Sequence, residues 1–161
     1  MERKMRRFKQ QLPVTECENI LRESTSGVLS LCGRDMQPYG VPLSHVYDAG
    51  KLYFHSALNG HKLDLIAENS KVSFTVIAQD EVHPETYTTY FRSAIAFGSI
   101  RIIMDETEKL RALEILGRRC NNNDEEGLKK EIASSHARCR MLEMNIEHLT
   151  GKQSIELVEK D

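Results

Sequence analysis

No two of the four cysteines, Cys17, Cys32, Cys120 and Cys139, form a C-x-x-C pair. Zinc ribbons and thioredoxin-type redox motifs need that pair, so both are excluded. The cysteines read as reduced residues of a cytoplasmic protein. No G-x-G precedes a helix, which removes the dinucleotide-binding βαβ unit. Neither Gly50-Lys51 nor Gly151-Lys152 has the neighbours of a Walker phosphate loop. The G-x-S-x-G elbow of a serine hydrolase is also missing. The longest uncharged stretch, 36–47, has 12 residues and holds Pro38 and Pro42. A membrane span needs about 18–20 apolar residues, so no membrane role is expected. No apolar core follows the charges of 1–9, so no secretory signal is expected. Net charge is only -2, with 22 basic against 24 acidic residues. A molecule-wide basic field for nucleic acid is therefore absent. Tryptophan is missing altogether, and 9 Gly and 4 Pro are too few for a fibrous or low-complexity chain.

What is present fits one folded domain. At 161 residues the chain buries roughly 70% of its unfolded surface and needs no disulfide. Residues 1–14 form a basic arm, 15–152 the domain and 153–161 a polar tail. Thr15 and Glu18 make a capping-box pattern for a helix to about Thr25. Strands are expected at 27–32, 39–47 and 51–56, joined by tight turns as an antiparallel meander. Asn59 caps a helix through Asn69. Residues 71–78 are a strand, 80–85 a polar loop and 87–104 a long strand. Asp105 and Glu108 mark a third helix start, a loop follows at 121–124, and a fourth helix spans 125–136. Residues 138–148 read as the last strand. Antiparallel pairs with helices inserted between them make an α+β or barrel-plus-helices class.

Two segments carry chemistry. A strand ends at Ser56 and a helix starts near Gly60, so free N–H groups, Lys62, His61 and the Ser56 hydroxyl gather within one turn. Together they make a phosphate clamp, or else an ordinary solvated helix start. In the second segment, Pro42 interrupts an edge strand, which frees backbone groups for a flat heterocycle or simply protects a sheet edge. His136, Cys139 and His148 lack zinc-ligand spacing, so no metal is expected.

In order along the chain stand Gln37-Pro38-Tyr39-Gly40-Val41-Pro42-Leu43-Ser44-His45-Val46-Tyr47-Asp48, then Gly50 to Ser56, then Gly60-His61-Lys62-Leu63-Asp64. This run resembles the FMN-binding split-barrel family, and within it the nitroimidazole-resistance flavoproteins related to pyridoxamine 5'-phosphate oxidase. Lys71 to Phe74, Tyr87 to Gly98 and Ile146 to Lys152 also fit, so the likeness covers about 5–152. It implies a six-stranded antiparallel split barrel, a homodimer, and FMN (or FAD) at the subunit interface. It implies further that Val41, Pro42, Leu43, Ser44 and His45 line the flavin ring. His55 and Ser56 flank the ribityl chain and phosphate, and Gly60, His61 and Lys62 hold the phosphate. Arg92 and Ser93 reach the flavin from the other subunit.

The oxidases carry Arg-Lys where this chain has His61-Lys62. They also place a Trp and an Arg/His pattern near the C-terminus, where this chain has Glu143, Asn145 and Glu147. The resemblance therefore implies a flavin-dependent reductase of small acceptors such as nitroimidazoles, with a small-molecule electron donor, rather than a pyridoxamine phosphate oxidase. The alternative is a non-catalytic flavin-binding or sensing module. No catalytic residue is assigned, and His45 and His55 are the candidates for proton relay.

Overall fold

The chain is described by a computed structural model that covers residues 4–120 and 123–158. The first three residues of the arm, part of the 121–124 loop and the last three of the tail lie outside the described residues.

One antiparallel sheet of seven strands forms the body. The strands are β1 (Ser26–Cys32), β2 (Pro38–Ser44), β3 (Val46–Asp48), β4 (Lys51–Ser56), β5 (Lys71–His83), β6 (Thr88–Ile102) and β7 (Arg140–Gln153). Their spatial order is β2-β1-β5-β6-β7-β4-β3. The four helices are α1 (Val14–Glu23), α2 (His61–Glu68), α3 (Glu106–Arg118) and α4 (Glu125–Ser135). The expected α+β class holds.

The strand count rises from six to seven because the run 39–47 is broken at His45. The His45 N–H donates to the Thr25 carbonyl at 3.2 Å, closing the β1–β2 hairpin, and from Val46 the chain pairs with β4 instead. The expected meander is also replaced. β2 makes a hairpin with β1, and β3 makes one with β4. These two edge strands lie at opposite ends of the sheet order, yet one residue separates them in the chain. One residue spans at most about 3.6 Å, so the sheet must curl until its edges meet. That curl makes the split barrel.

Other boundaries move for local reasons. Pro13, with φ -58°, precedes α1, so Thr15 lies inside the helix and is not its cap. Gly60 rather than Asn59 takes the N-cap of α2. Residues 80–83, expected in a loop, continue β5 as a hairpin with β6, and the register shifts once between Ile77 and Gln79. Tyr87 is left-handed at φ 51° and belongs to the turn. β7 runs on to Gln153 because Arg92 to Phe97 of β6 pair with it. Two helix caps form at acidic residues: Asp105 accepts from Glu108 N, and Asp124 from Gly127 N.

Alternation in β1, β5 and β6 sends Leu29, Leu31, Val72, Phe74, Val76, Ala94, Ala96 and Ile100 inward. They meet Cys17, Ile20 and Leu21 of α1, Leu63, Leu65 and Ile66 of α2, and Leu52 and Phe54 of β4. Leu12 joins this core, so the arm is anchored at its inner end. α3 packs on the other face of β4 and β7, where Tyr53, Ile103, Ala112, Leu113 and Met141 form a second cluster.

Candidate functional site

α2 begins without a side-chain cap. Gly60 is held at φ +141°, a conformation that favours glycine, and a Cβ there would meet nothing within 4 Å. Its carbonyl accepts from Leu63 N at 2.8 Å and Asp64 N at 3.3 Å, so the first turn is formed. No side chain caps the helix, so the His61 and Lys62 N–H groups of that turn are not taken by a cap. His61 is exposed, Lys62 is half-buried, and neither makes an ion pair with another described residue. The His61 ring stands edge-on to Tyr39 of β2, with centroids 4.9 Å apart. That contact joins the two segments singled out in the sequence. Tyr39 is the site residue that the sequence reading missed; its aromatic ring was visible, but its neighbour was not.

Ser56 ends β4, and its Oγ is buried with no hydrogen-bond partner among the described residues. His55 points to the opposite face and is exposed. In β2, Tyr39, Val41 and Leu43 pack on the core, while Gly40, Pro42 and Ser44 face outward. Ser93 of β6 pairs with Ile77 and Lys152 on that same outer face. Arg92 takes the other phase, and its buried Nε lacks a partner among the described residues. It lines a cleft with Glu16, Glu23, Ala78 and Glu81. Val41, Leu43 and Arg92 therefore do not share the outward face of Pro42, Ser44 and Ser93.

His45 is corrected as a relay candidate and as a ring-lining side chain. It is 1% exposed. Its Nε2 donates to the Leu21 carbonyl at 2.9 Å, and its ring packs edge-on against Phe74. Burial pushes its pKa below the usual histidine value, the Leu21 bond opposes this, and nearby Arg119 adds to it. Neutral His45 is thus a pin at the β2–β3 break. The Arg119 guanidinium supports the same corner by donating to the carbonyls of Arg22, Glu23 and Ser24 at 2.7–2.9 Å.

The carboxylates of β7 tie strands together. Glu143 accepts from Lys51 and Arg101 at 3.0 Å and from Tyr53 at 3.2 Å. Burial raises its pKa, but the Lys51 and Arg101 bonds prevail and hold it low. Glu147 accepts from Lys71 and Ser99. A folded pKa below the unfolded one stabilises the fold above the unfolded pKa, and that gain is lost as pH falls. His45 acts this way below its reference value of 6.5, and Glu143 below 4.5. The urea midpoint should therefore drop as pH falls from 7 towards 3 (a span of about four units), and Glu143→Gln should flatten the lower part of that curve.

A family model described as pyridoxamine 5'-phosphate oxidase matches residues 13–153. The chain belongs to that family. Solved structures of similar fold superpose on most of this chain. A candidate 5-nitroimidazole antibiotic resistance protein from Bacteroides thetaiotaomicron superposes with a TM-score of 0.73 at 21% identity, covering 89% of this chain and 86% of that one. A FAD-binding protein from Mesorhizobium loti gives 0.61 at 24% identity, covering 90% and 97%. An uncharacterized protein of Rhizobium meliloti is 34% identical over 61 residues, 38% of this chain. The match spans 39% of that relative's length. No helix among the described residues is long and apolar enough to cross a membrane.

Proposed function

We propose that this chain binds a flavin through its phosphate at the start of α2 and serves as a flavin-dependent reductase of small acceptors, nitroimidazoles among them. The uncapped turn at Gly60 carries this reading. It offers N–H groups not taken by a side-chain cap, open space at Gly60, the Lys62 ammonium and the His61 imidazole, and four residues earlier the buried Ser56 Oγ lacks a partner among the described residues. A flavin 5'-phosphate supplies what each of these groups lacks. FMN ends in that phosphate, so FMN is the form the clamp selects. The flavin, when bound, supplies the redox chemistry. The protein's part is to anchor the phosphate, to present Pro42 and Ser44 along the ring, and to leave exposed His55 as the proton carrier. Flavin-binding and nitroimidazole-resistance relatives of the same fold support the reading. Purified protein should take up FMN and absorb near 375 and 450 nm (about the values of flavins in general). Protein that stays colourless after reconstitution overturns the reading. Bound flavin that no nicotinamide donor reduces would leave a binding module instead.

A second copy completes the site in this proposal. On the outer face of β1, β5 and β6, Val28, Ile77 and Phe97 are 38%, 68% and 42% exposed. Ser93 opens on the same face. Covering that apolar surface and a flavin edge at once favours a two-fold dimer. Light scattering should read about twice 18.4 kDa. A monomer at micromolar concentration with full flavin content refutes the shared site.

A further inference from the structure

A pocket lies on the face of β4 and β7 that α3 covers, away from the core that holds α2. The β3–β4 hairpin and the sheet supply Asp48, Lys51, Tyr53 and Glu143, and α3 supplies Glu108, Arg111 and Ala112. Positions 108, 111 and 112 are spaced i, i+3 and i+4, so they share one helix face, which forms the wall opposite the sheet. The volume is ≈ 170 Å³. A cavity of about 150 Å³ holds a benzene, so there is room here for a ligand of about six heavy atoms. The floor is already built. Tyr53 is 7% and Glu143 9% exposed, and the Tyr53 hydroxyl donates to Glu143 at 3.2 Å.

The charges around this pocket balance, yet two of them are left over. Lys51 and Arg101 both bond Glu143, and Arg101 also pairs with Glu108. Asp48 stands opposite Lys51 in the hairpin, but the Lys51 ammonium goes to Glu143 instead. Asp48 and, on the helix wall, Arg111 make no ion pair with each other or with another described residue. Both act on the same buried hydroxyl. Burial pushes the Tyr53 pKa up, Glu143 and Asp48 add to this, and Arg111 opposes it. One unpaired carboxylate and one unpaired guanidinium thus stand around the Tyr53 hydroxyl with open space between them.

That pattern selects by charge. A lone anion at Arg111 leaves Asp48 unmatched, and a lone cation at Asp48 leaves Arg111 unmatched. A molecule that carries both charges answers both. We infer that this pocket binds a small zwitterion, an amino acid with a short side chain, its carboxylate on Arg111 and its ammonium on Asp48 and the Tyr53 oxygen. The Tyr53 hydroxyl keeps acceptor capacity while it donates to Glu143, so it serves an ammonium N–H as well. Buried Ile103 and Ala112 give the side chain an apolar wall. The site is separate from the α2 clamp, and the inference does not rest on flavin binding.

Titration calorimetry on the flavin-free full chain tests it with L-alanine as the probe. L-Alanine should bind at least about tenfold tighter than propionate, which lacks the ammonium, and than ethylamine, which lacks the carboxylate, because each charge-assisted bond contributes separately. L-Phenylalanine should bind at least about tenfold more weakly than L-alanine, since a benzyl group exceeds the room for about six heavy atoms. Arg111→Gln and Asp48→Asn change side chains without an ion pair, so the urea midpoint should hold while each weakens L-alanine binding about tenfold. Arg111→Gln should leave ethylamine binding as it is, and Asp48→Asn should leave propionate binding as it is. L-Alanine that binds no tighter than either fragment, or that ignores both substitutions, overturns the inference. L-Phenylalanine that binds as tightly as L-alanine overturns it too. Lys62→Ala should not alter L-alanine binding, so failure here and failure of the flavin clamp read out separately.

Discussion

Lys62→Ala should weaken FMN binding by about 10- to 150-fold, the equivalent of a charge-assisted contact of about 1.5–3 kcal/mol. Lys62 is half-buried as a residue and stands in the first turn of an uncapped helix. It has no carboxylate partner among the described residues to release or to leave stranded. The substitution should therefore leave stability nearly unchanged, since alanine suits a helix. Fluorescence titration of flavin into the apoprotein measures the loss. Lys129→Ala, on exposed α4, is the control and should bind normally. If Lys62→Ala binds FMN as tightly as the native chain does, the phosphate is held elsewhere. His61→Ala should cost less, because an imidazole N–H is a softer phosphate donor than a lysine ammonium.

The largest loss of stability is expected from Phe54→Ala. Phe54 is completely buried, meets Phe74 edge-on at 5.1 Å, and lies in the core that α1 and α2 share with the sheet. Truncation removes its transfer energy and leaves a cavity, for about 3–5 kcal/mol. Against a total of about 5–15 kcal/mol this is a major fraction. Urea denaturation of native and variant protein reads the difference directly. A loss below about 1 kcal/mol would mean that the barrel collapses to fill the gap, contrary to a rigid closed sheet. Phe54 is also two residues before Ser56. Flavin uptake should fall with it, but only as the folded fraction falls.

These two residues differ in how visible they were. Lys62 stood out in the sequence because glycine, a base and a helix pattern follow a strand end, and helix starts attract anions wherever they occur. Phe54 read only as one apolar position in a strand, and its contact with Phe74 lies twenty positions away. The α+β class, the Asp105 helix cap and the long strand β6 were legible for the same reason as Lys62. Alternation, capping and turn chemistry act within a few residues. His45 was misread because polarity and strand phase said nothing of what would cover it. Its acceptor, the Leu21 carbonyl, is on a helix 24 residues earlier.

The sequence by itself determined the local elements and the chemical content of the α2 turn, since both depend on neighbours in the chain. Tertiary structure alone decided that 39–47 breaks at His45, that β2 and β3 become opposite edges of one curled sheet, and that Tyr39 meets His61. It also decided which side of the sheet each expected contact faces, turning Ser93 and Pro42 outward and Arg92 and Val41 inward. These outcomes depend on register and closure, which are set by pairings between strands far apart in the chain. A shift of one residue in such a pairing would reverse every face.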